Sequence, residues 1–419
     1  MINKLHYSNK KKEQLYNFLI KRRLGNNVNT SIVPKILNDI KKNKEKAVIK
    51  YENKFSRNKK IKLTSKEINK SIKNLDTKVK KALDDAYKRI YSFHYLQKSK
   101  DIKYIDKLKN KIEYKNIPLR SVGIYVPANL PSTLLMNAIP AKIAGVKDII
   151  LANPRSNGKI NSAVMYVAKK CGIKKIITVG GAQAIGSLAY IEKVDKIVGP
   201  GNDYVARAKR EVFGDVGIEG MIAGPSEVTV IADRKSNINQ IATSMIAQSE
   251  HGTNSQSILI TKDKEIVIQV EKKIKNLVNF LPRKNIIKKS LKTNGLIVTT
   301  EKENQIADIV NIISPEHLEI LSNSFKKYLN KIFNVGTIAI GEYSPVAASD
   351  YNVGTNHTLG TLGSAKFASG LNLNDFYKKI SQFELSRKGL KVISKQAITL
   401  AEYENLFSHS LSIKSRIKG

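Results

Sequence analysis

From about residue 119 the chain alternates between short apolar segments and amphipathic segments, and this alternation restricts the fold to a parallel α/β architecture. The pattern predicts strands at "SVGIYVP", "DIILANP", "KIITVGG" and "DKIVGPG", separated by helices such as "STLLMNAIPAKIAGV". Parallel strands need a crossover connection, usually a helix, so strand–helix alternation predicts βαβ units. A second series follows, with strands at "EVTVIAD", "QSILITK", "GLIVTT", "HLEIL" and "TIAIG". The sequence therefore predicts two open α/β sheets.

The flanking segments have a different texture. Residues 1–118 are rich in lysine and predict mainly helix, including a capping-box start at Thr64 and Glu67. The last fifty residues also predict helix and suit an arm that reaches a partner chain. Because 419 residues exceed what one hydrophobic core usually supports, we expect two or three domains, with a boundary near the glycine-rich "MIAGPSE".

The formal net charge of +38 raises the hypothesis of a nucleic-acid-binding protein. The excess is mostly lysine in mixed polar runs such as "KKNKEKAVIK", without the aromatic spacing or zinc-knuckle pattern of nucleic-acid-binding segments. We therefore interpret the charge as solvated helix faces and expect no specific nucleic-acid partner.

The sequence also makes a membrane or secreted protein unexpected. Its single cysteine, Cys171, allows no intramolecular disulfide and fits a reducing compartment. No stretch has the apolar length of a signal peptide's core at the N-terminus or of a bilayer span anywhere. We expect a soluble, cytoplasmic protein with no membrane partner.

Four of the six histidines stand in motifs that suit chemistry. They are His251 in "QSEHG", His317 in "SPEHLEI", His357 in "GTNHTLG" and His409 in "LFSHS". Two follow a glutamate directly, and Asp350 lies shortly before His357. Imidazole, carboxylate and amide oxygen ligands suit zinc, whereas a histidine beside a carboxylate also suits a general base. The pattern leaves both interpretations open. We expect His6 and His94 to be exposed or incidental, and Cys171 to be a packing residue.

The turns after the first strand series carry no established nucleotide fingerprint, since neither G-x-G-x-x-G nor a Walker motif occurs. "VGGAQAIG" and "VGPGN" are predicted strand-to-helix turns at the carboxyl ends of parallel strands, where α/β proteins bind ligands. Ligand contact and simple turn chemistry are equally compatible with these glycines.

Taken together, these motifs resemble the histidinol dehydrogenase family. The resemblance rests on "VGIYVP", "LMNAIPAKIAGV", "VGGAQAIG", "KVDKIVGPGN", "MIAGPSEVTVIAD", "AQSEHG", "SPEHLEI", "GTNHTLG" and "LAEYENLFSH", in the family's motif order from about residue 30 onward. It implies oxidation of L-histidinol to L-histidine through L-histidinal, with reduction of two NAD. It also implies one Zn²⁺ per subunit and a homodimer with shared active sites.

The resemblance further implies an α/β fold of two open, incomplete Rossmann-like three-layer domains, similar to aldehyde dehydrogenases, with helical N- and C-terminal extensions. The implied division is a helical extension over 1–25, a domain with the metal and catalytic residues over 26–120 and 226–370, a domain with the NAD contacts over 121–225, and a helical arm over 371–419.

The site residues that the resemblance implies fall into four groups. They are Gln248, His251, Asp350 and His409 for zinc; Ser226, Gln248, His251, His317, Asp350, His357, Glu404 and His409 for substrate; Tyr125, Gln183 and Asn202 for NAD; and Glu316 and His317 for catalysis. In the implied mechanism Glu316 activates water and His317 moves protons, so no catalytic cysteine is needed.

The chain departs from the family pattern after "YVP", where it lacks the usual glycine pair and has a shorter loop over 128–131, which bears on the Tyr125 contact. Three alternatives remain open. The first is the same chemistry on another small polar alcohol. The second is a zinc hydrolase that uses Glu316-activated water, and the third is a basic nucleic-acid-binding protein.

Overall fold

A computed structural model describes residues 2–24, 28–220, 224–322, 326 and 329–417. Residues 221–223 of the predicted boundary segment "MIAGPSE" lie outside the described residues. Over the described ranges, no helix is both long enough and apolar enough to cross a lipid bilayer.

The structure places its strands in three sheets. The strands are β1 (Asn3–His6), β2 (Ile102–Ile105), β3 (Lys111–Pro118), β4 (Ser121–Tyr125), β5 (Asp148–Ala152), β6 (Lys175–Ile177), β7 (Lys196–Val198), β8 (Gly217–Ile218), β9 (Glu227–Ala232), β10 (Gln256–Thr261), β11 (Leu296–Thr299), β12 (His317–Ile320), β13 (Thr337–Ile340) and β14 (Tyr377–Glu384). Each strand predicted from the two α/β series is present, so the predicted alternation is confirmed.

Helices connect and cover these strands. They are α1 (Lys12–Leu24), α2 (Ile32–Ser56), α3 (Ser65–Lys73), α4 (Thr77–Tyr95), α5 (Pro131–Ala144), α6 (Ser162–Cys171), α7 (Gly181–Tyr190), α8 (Asp203–Val212), α9 (Ile238–Ser249), α10 (Lys264–Val278), α11 (Lys284–Asn294), α12 (Gln305–Ile313), α13 (Val346–Ser349), α14 (Arg387–Tyr403) and α15 (Phe407–Ile417). Helix α3 begins with the predicted capping box, in which Thr64 and Glu67 satisfy each other's backbone N–H groups.

The first parallel sheet has the order β6-β5-β4-β7-β8 among the described residues. Both of its faces are covered, as a parallel sheet requires, because its strands are apolar on both sides. One core contains Ile124 and Leu151 with side chains of α4, α5 and α6. The other contains Ile150 and Ile197 with side chains of α2, α7 and α8. The sheet and its two helical layers therefore form a three-layer unit.

The second parallel sheet has the order β1-β11-β10-β9-β12-β13 within the part of the chain described. Helices α9, α10 and α11 cover one face, and α1 and α12 cover the other. Strands β9 and β10 are buried along their whole length. The motif "SPEHLEI" leads into β12 of this sheet.

The packing groups the N-terminal third of the chain differently from the sequence prediction. Residues 26–120 were expected beside 226–370, but α2 and α4 pack on the first sheet instead. Helix α2 approaches closely because Gly186 of α7 has no side chain, and a Cβ there would lie 2.9 Å from the Ile40 side chain. Residues 1–25, expected as a helical extension, include β1, which pairs with β11 in the second sheet.

The termini also contain strands that the sequence did not predict. Strands β2 and β3 occur in the segment expected to be helical, and β14 occurs in the expected helical arm. They form an antiparallel sheet in the order β14-β3-β2 across the described residues. Its side chains alternate weakly and stay largely exposed, so the apolar pattern gave little signal. Helices α14 and α15 follow this sheet as the arm.

Gly199 offers a test of how tightly β4 and β7 meet at the carboxyl edge of the first sheet. Its φ is +110°, and a Cβ there would lie 2.0 Å from the Tyr125 carbonyl oxygen. Gly214 has a similar φ of +105° with nothing within 4 Å of its Cβ position, so it is a matched control. We expect Gly214→Ala to lower the free energy of unfolding by about 1–3 kcal/mol through backbone strain alone.

Gly199→Ala should cost clearly more than Gly214→Ala, because the steric conflict with Tyr125 adds to the same strain. Urea unfolding of both variants followed by circular dichroism measures the difference. Equal destabilisation of the two would show that the β4–β7 edge relaxes around the added methyl group.

Candidate active site

A cleft of about 540 Å³ lies where the carboxyl edge of the first sheet faces the amino ends of β9, β10 and β12. The loops after β4 and β7 contribute one wall, and segments before β9 and β12 contribute another. Seven of the predicted site residues line it. They are Ser226, Gln248, His251, Glu316, His317, Asp350 and His357. The fold thus brings together residues that are up to 131 positions apart in the chain.

Glu316 and His317 sit at the amino end of β12 and are almost fully buried. The His317 Nε2 atom lies 3.8 Å from the Glu316 Oε1 atom. Burial raises the pKa of Glu316 well above its usual value, and the neighbouring carboxylates of Glu227 and Asp350 raise it further. Burial lowers the pKa of His317 to about 3. His317 is therefore neutral at physiological pH, and the Glu316 carboxylate is a stronger base than an exposed glutamate.

Three of the four predicted metal ligands face this cleft. Gln248 lies in the last turn of α9, and His251 follows just past the helix end. Asp350 follows the short helix α13, and burial raises its pKa to about 6. Burial lowers the pKa of His251, which favours the neutral form that binds metals. The Gln248 Nε2 atom is buried, and no residue in the described part of the chain hydrogen-bonds to it.

The donor chemistry of these three residues fits zinc, which accepts imidazole nitrogen and carboxylate oxygen. The described residues nevertheless contain no preformed cluster of three or more His, Cys, Asp or Glu side chains that could hold a metal. Gln248, His251 and Asp350 supply only two such groups and one amide. A closed tetrahedral site would need a further ligand.

The other two residues predicted on the C-terminal arm lie elsewhere. Glu404 follows α14 directly and His409 lies in α15, and both are exposed to solvent. Neither lines the cleft of its own chain. The structure therefore does not bring these two residues together with the other six predicted substrate and metal residues of the same chain.

His357 is held in the cleft wall by its neighbours. Its Nδ1 atom hydrogen-bonds to the Asp350 backbone carbonyl at 2.9 Å, and its Nε2 atom lies 3.4 Å from the Thr133 hydroxyl. Burial lowers the pKa of His357 to about 4, so the ring is neutral. The Nδ1 bond to a carbonyl places the proton on that nitrogen and leaves Nε2 as an acceptor.

His94 was expected to be exposed or incidental, and that prediction is wrong. It is fully buried, with Nδ1 bonded to the Ile90 carbonyl at 2.9 Å and Nε2 3.3 Å from the Asn356 amide nitrogen. Asn356 also donates to the Met136 carbonyl at 2.7 Å. Because Asn356 precedes His357, this histidine anchors the loop that carries a cleft residue. Its position in the apolar stripe of α4 was the signal that sequence reasoning missed.

The predicted NAD contacts lie near the carboxyl edge of the first sheet but do not line the cleft themselves. Tyr125 ends β4 and is buried, and its hydroxyl interacts with the Gly181 backbone N–H. The Gln183 Nε2 group donates to the Glu52 carboxylate at 2.9 Å. Asn202 is exposed and caps α8 by accepting from the Val205 N–H. Each of these three residues thus already interacts with another residue of the chain, and a contact with NAD must be compatible with that interaction.

Glu219 and Lys209 form a buried ion pair that the sequence reasoning missed. Lys209 lies on the inner face of α8 and donates to both the Glu219 carboxylate and the Gly199 carbonyl. Glu219 lines the cleft. A lysine on the buried side of an amphipathic helix was the available signal, since such a charge needs a partner. The pair fixes the turn that leads to Asn202.

Cys171 is buried at the end of α6, and burial raises the pKa of its thiol to about 12. A thiol in that state supplies almost no thiolate nucleophile at neutral pH. Cys171 also lies outside the cleft lining. The structure supports its predicted role in packing.

Comparison with known proteins gives consistent results across the whole chain. A sequence model of the histidinol dehydrogenase family matches residues 21–417. Histidinol dehydrogenase of Pelagibacter ubique is 50% identical, and the match covers 100% of both chains. Histidinol dehydrogenase of Acinetobacter baylyi is 40% identical over 92% of each chain.

Solved structures agree with the sequence matches. The crystal structure of histidinol dehydrogenase from Elizabethkingia anophelis superposes with a TM-score of 0.92 at 34% identity, covering 100% of this chain and 98% of that one. An acetylating aldehyde dehydrogenase from Geobacillus thermoglucosidasius superposes with a TM-score of 0.52 at 14% identity, covering 90% of this chain and 97% of that one, which shows a shared fold alone. The predicted aldehyde-dehydrogenase-like α/β fold is confirmed.

Proposed function

The chain belongs to the histidinol dehydrogenase family, an NAD-dependent oxidoreductase family of histidine biosynthesis, and we propose that it oxidises L-histidinol to L-histidine in two steps with reduction of two NAD. The observation that carries the proposal is the buried Glu316–His317 pair, which shares one cleft with Gln248, His251 and Asp350. The first group supplies a base for water and a proton carrier. The second supplies donors for a metal.

In this proposal Gln248, His251 and Asp350 would hold one Zn²⁺, with His409 of the partner subunit as the fourth ligand. When bound, zinc would supply Lewis acidity and an anchor for the imidazole and amino nitrogens of histidinol. Ser226 and His357 line the same cleft and would contact the substrate. Glu404, which lies on the arm five residues before His409, would approach the site with it and suits the substrate's amino group.

His317 would act first as a general base. Its neutral ring can accept the hydroxyl proton of histidinol while a hydride passes from the adjacent carbon to NAD, which gives histidinal and NADH. Its buried Nδ1 atom has no hydrogen-bond partner among the described residues, so one ring nitrogen is uncommitted there. Burial favours the neutral ring, so the base is in its active form above about pH 3.

Glu316 would act in the second half of the reaction. Its carboxylate can remove a proton from water as the water oxygen attacks the aldehyde carbon, while protonated His317 returns its proton to the former carbonyl oxygen. This gives the hydrate and a neutral His317. His317 can then take a hydroxyl proton from the hydrate while the second hydride passes to a second NAD, which gives the carboxylic acid. Water replaces the cysteine nucleophile, consistent with the buried position of Cys171.

For NAD we propose contacts from Tyr125, Gln183 and Asn202, which lie at strand ends where α/β proteins bind ligands. Because Glu52 holds the Gln183 amide nitrogen, a contact from Gln183 would come from its amide oxygen. The Lys209–Glu219 pair fixes the neighbouring turn before Asn202.

We propose a homodimer in which each arm completes the partner's site. The arm and its adjoining strand expose large apolar side chains, which in a monomer is unfavourable. Phe383 of β14 is 71% exposed, Tyr403 of α14 is 85% exposed and Leu411 of α15 is 67% exposed. Burial of these side chains against a second copy would place the exposed His409 and Glu404 on the same surface.

The function is tested by counting products. Purified protein is incubated with L-histidinol and NAD, and NADH formed is divided by L-histidine formed. We expect a ratio of two, with activity lost on chelation and restored by zinc. A ratio of one, or oxidation of other small amino alcohols in preference to histidinol, would contradict the four-electron assignment.

Glu316→Gln separates the two half-reactions. We expect oxidation of histidinal to slow by at least about 100-fold, the size of a typical general-base contribution, while oxidation of histidinol changes much less. In the wild type the histidinal step should fall as pH drops through the raised Glu316 pKa, well above the usual glutamate range, because the carboxylate form is the active one. The variant should lose this acid limb.

The matched control is Glu250→Gln, which alters the other Glu-His pair but lies outside the cleft lining. It should leave the ratio of the two half-reaction rates unchanged. Equal slowing of both half-reactions by Glu316→Gln would contradict its role in water activation.

Subunit mixing tests whether the sites are shared. His251→Ala and His409→Ala should each be inactive alone. If His409 acts in the partner's site, co-refolding equal amounts should restore about a quarter of wild-type activity, because half of the dimers are mixed and each has one complete site. Activity that stays at the level of the single variants would show that each arm serves its own chain.

A further inference from the structure

Arg22 reaches the active-site region from α1, and all three of its guanidinium nitrogens are used. Its side chain is 5% exposed. Nη1 bonds to the Glu227 carboxylate and lies 3.3 Å from the Gln256 side-chain oxygen. Nη2 donates to the Pro225 carbonyl at 2.8 Å, and Nε donates to the Asn254 carbonyl at 3.2 Å. This arginine is therefore fixed from several directions at the amino edge of the second sheet.

Glu227 connects Arg22 to Glu316 through reciprocal hydrogen bonds. The Glu227 backbone N–H donates to the Glu316 carboxylate at 2.7 Å, and the Glu316 backbone N–H donates to the Glu227 carboxylate at 3.3 Å. The Leu362 N–H also donates to Glu227, at 2.8 Å. Both carboxylates are buried. The Glu316 carboxylate is thus held by the backbone N–H of Glu227, and the Glu227 side chain is in turn held by Arg22.

The sheet register forces these two acids together. His317 pairs with Val228 across β12 and β9, so Glu316 and Glu227 are neighbours at the strand ends. Two buried carboxylates at neighbouring positions repel each other, and a buried charge without a partner is strongly destabilising. Arg22 supplies the compensating cation. The Glu227 backbone N–H lowers the pKa of Glu316, the Glu227 carboxylate raises it, and the Arg22 charge lowers it, so both charged groups act on Glu316.

We propose that Arg22 and Glu227 are positioning residues that hold the Glu316 carboxylate in the orientation needed to activate water. The N-terminal segment, through α1, then takes part in the second half-reaction although it contributes nothing to the cleft lining. This inference rests on the proposed function, because it needs Glu316 to act as the base for water.

The test compares the two half-reactions in Arg22→Met, Arg22→Lys and Glu227→Gln. Arg22→Met should slow oxidation of histidinal by about 10- to 100-fold, the cost of a small misplacement of a catalytic group, and slow oxidation of histidinol much less. Arg22→Lys should recover part of the histidinal rate, because it keeps the cation. Glu227→Gln should show the same selective loss as Arg22→Met.

The readout is the ratio of the histidinal rate to the histidinol rate in one preparation. Because both rates fall equally when less protein is folded, a loss of folded protein does not change this ratio. Arg234→Met is the control, because it removes an arginine ion pair, with Asp263, at the opposite end of the same sheet. An unchanged ratio in both Arg22→Met and Glu227→Gln would overturn the proposal and leave the pair a purely structural role.

A double-variant cycle makes the test independent of overall stability. In the Glu316→Gln background, Arg22→Met should change the histidinal step by less than about twofold, because its route of action is already removed. A full additional loss would overturn the proposal. Wild-type protein that does not oxidise histidinol or histidinal at all would refute the proposed function, whereas an active wild type with an unchanged ratio in the variants refutes this inference alone.

Discussion

The parallel pairing of β9 with β12 is the constraint on which the site depends. It places Glu316 beside Glu227, both buried, at the amino edge of the second sheet. That arrangement is unfavourable for two carboxylates unless a cation joins them. Arg22 provides it from α1, which packs on the second sheet, while β1 pairs with β11 in that sheet. The N-terminal segment is bound to the site by charge as well as by apolar packing.

Burial gives the cleft its chemical character. Three histidines share a cavity of about 540 Å³ with the carboxyl groups of Glu316 and Asp350, and burial is the main cause of the pKa shift of each of these groups. The imidazoles are kept neutral, so they can accept protons or bind a metal. The carboxyl pKa values are raised, so Glu316 and Asp350 are favoured as partners for a proton or a cation. The buried cleft therefore suits both proton transfer and metal binding.

The second sheet carries the polar residues, while the first sheet presents its strand ends to the same cleft. Pro127 and Pro200 come from the loops after β4 and β7, and Gly199 lets these strands meet closely. Lys209 pairs with Glu219 and also donates to the Gly199 carbonyl, which fixes the loop after β7. The arm, by contrast, leaves its apolar side chains and His409 in solvent within one chain. The shared site that we propose would account for both observations.

The sequence by itself determined the two α/β series, because strand and helix periodicities are local and apolar segments must be buried. Its motifs also indicated the family and the residues Gln248, His251, Glu316 and Asp350. Only the tertiary structure decided where α2, α4 and β1 pack, that His94 is buried, and that Arg22 reaches Glu227. These outcomes depend on contacts between residues up to hundreds of positions apart. A charge or histidine in a local pattern carries no information about the distant group that will neutralise or cover it.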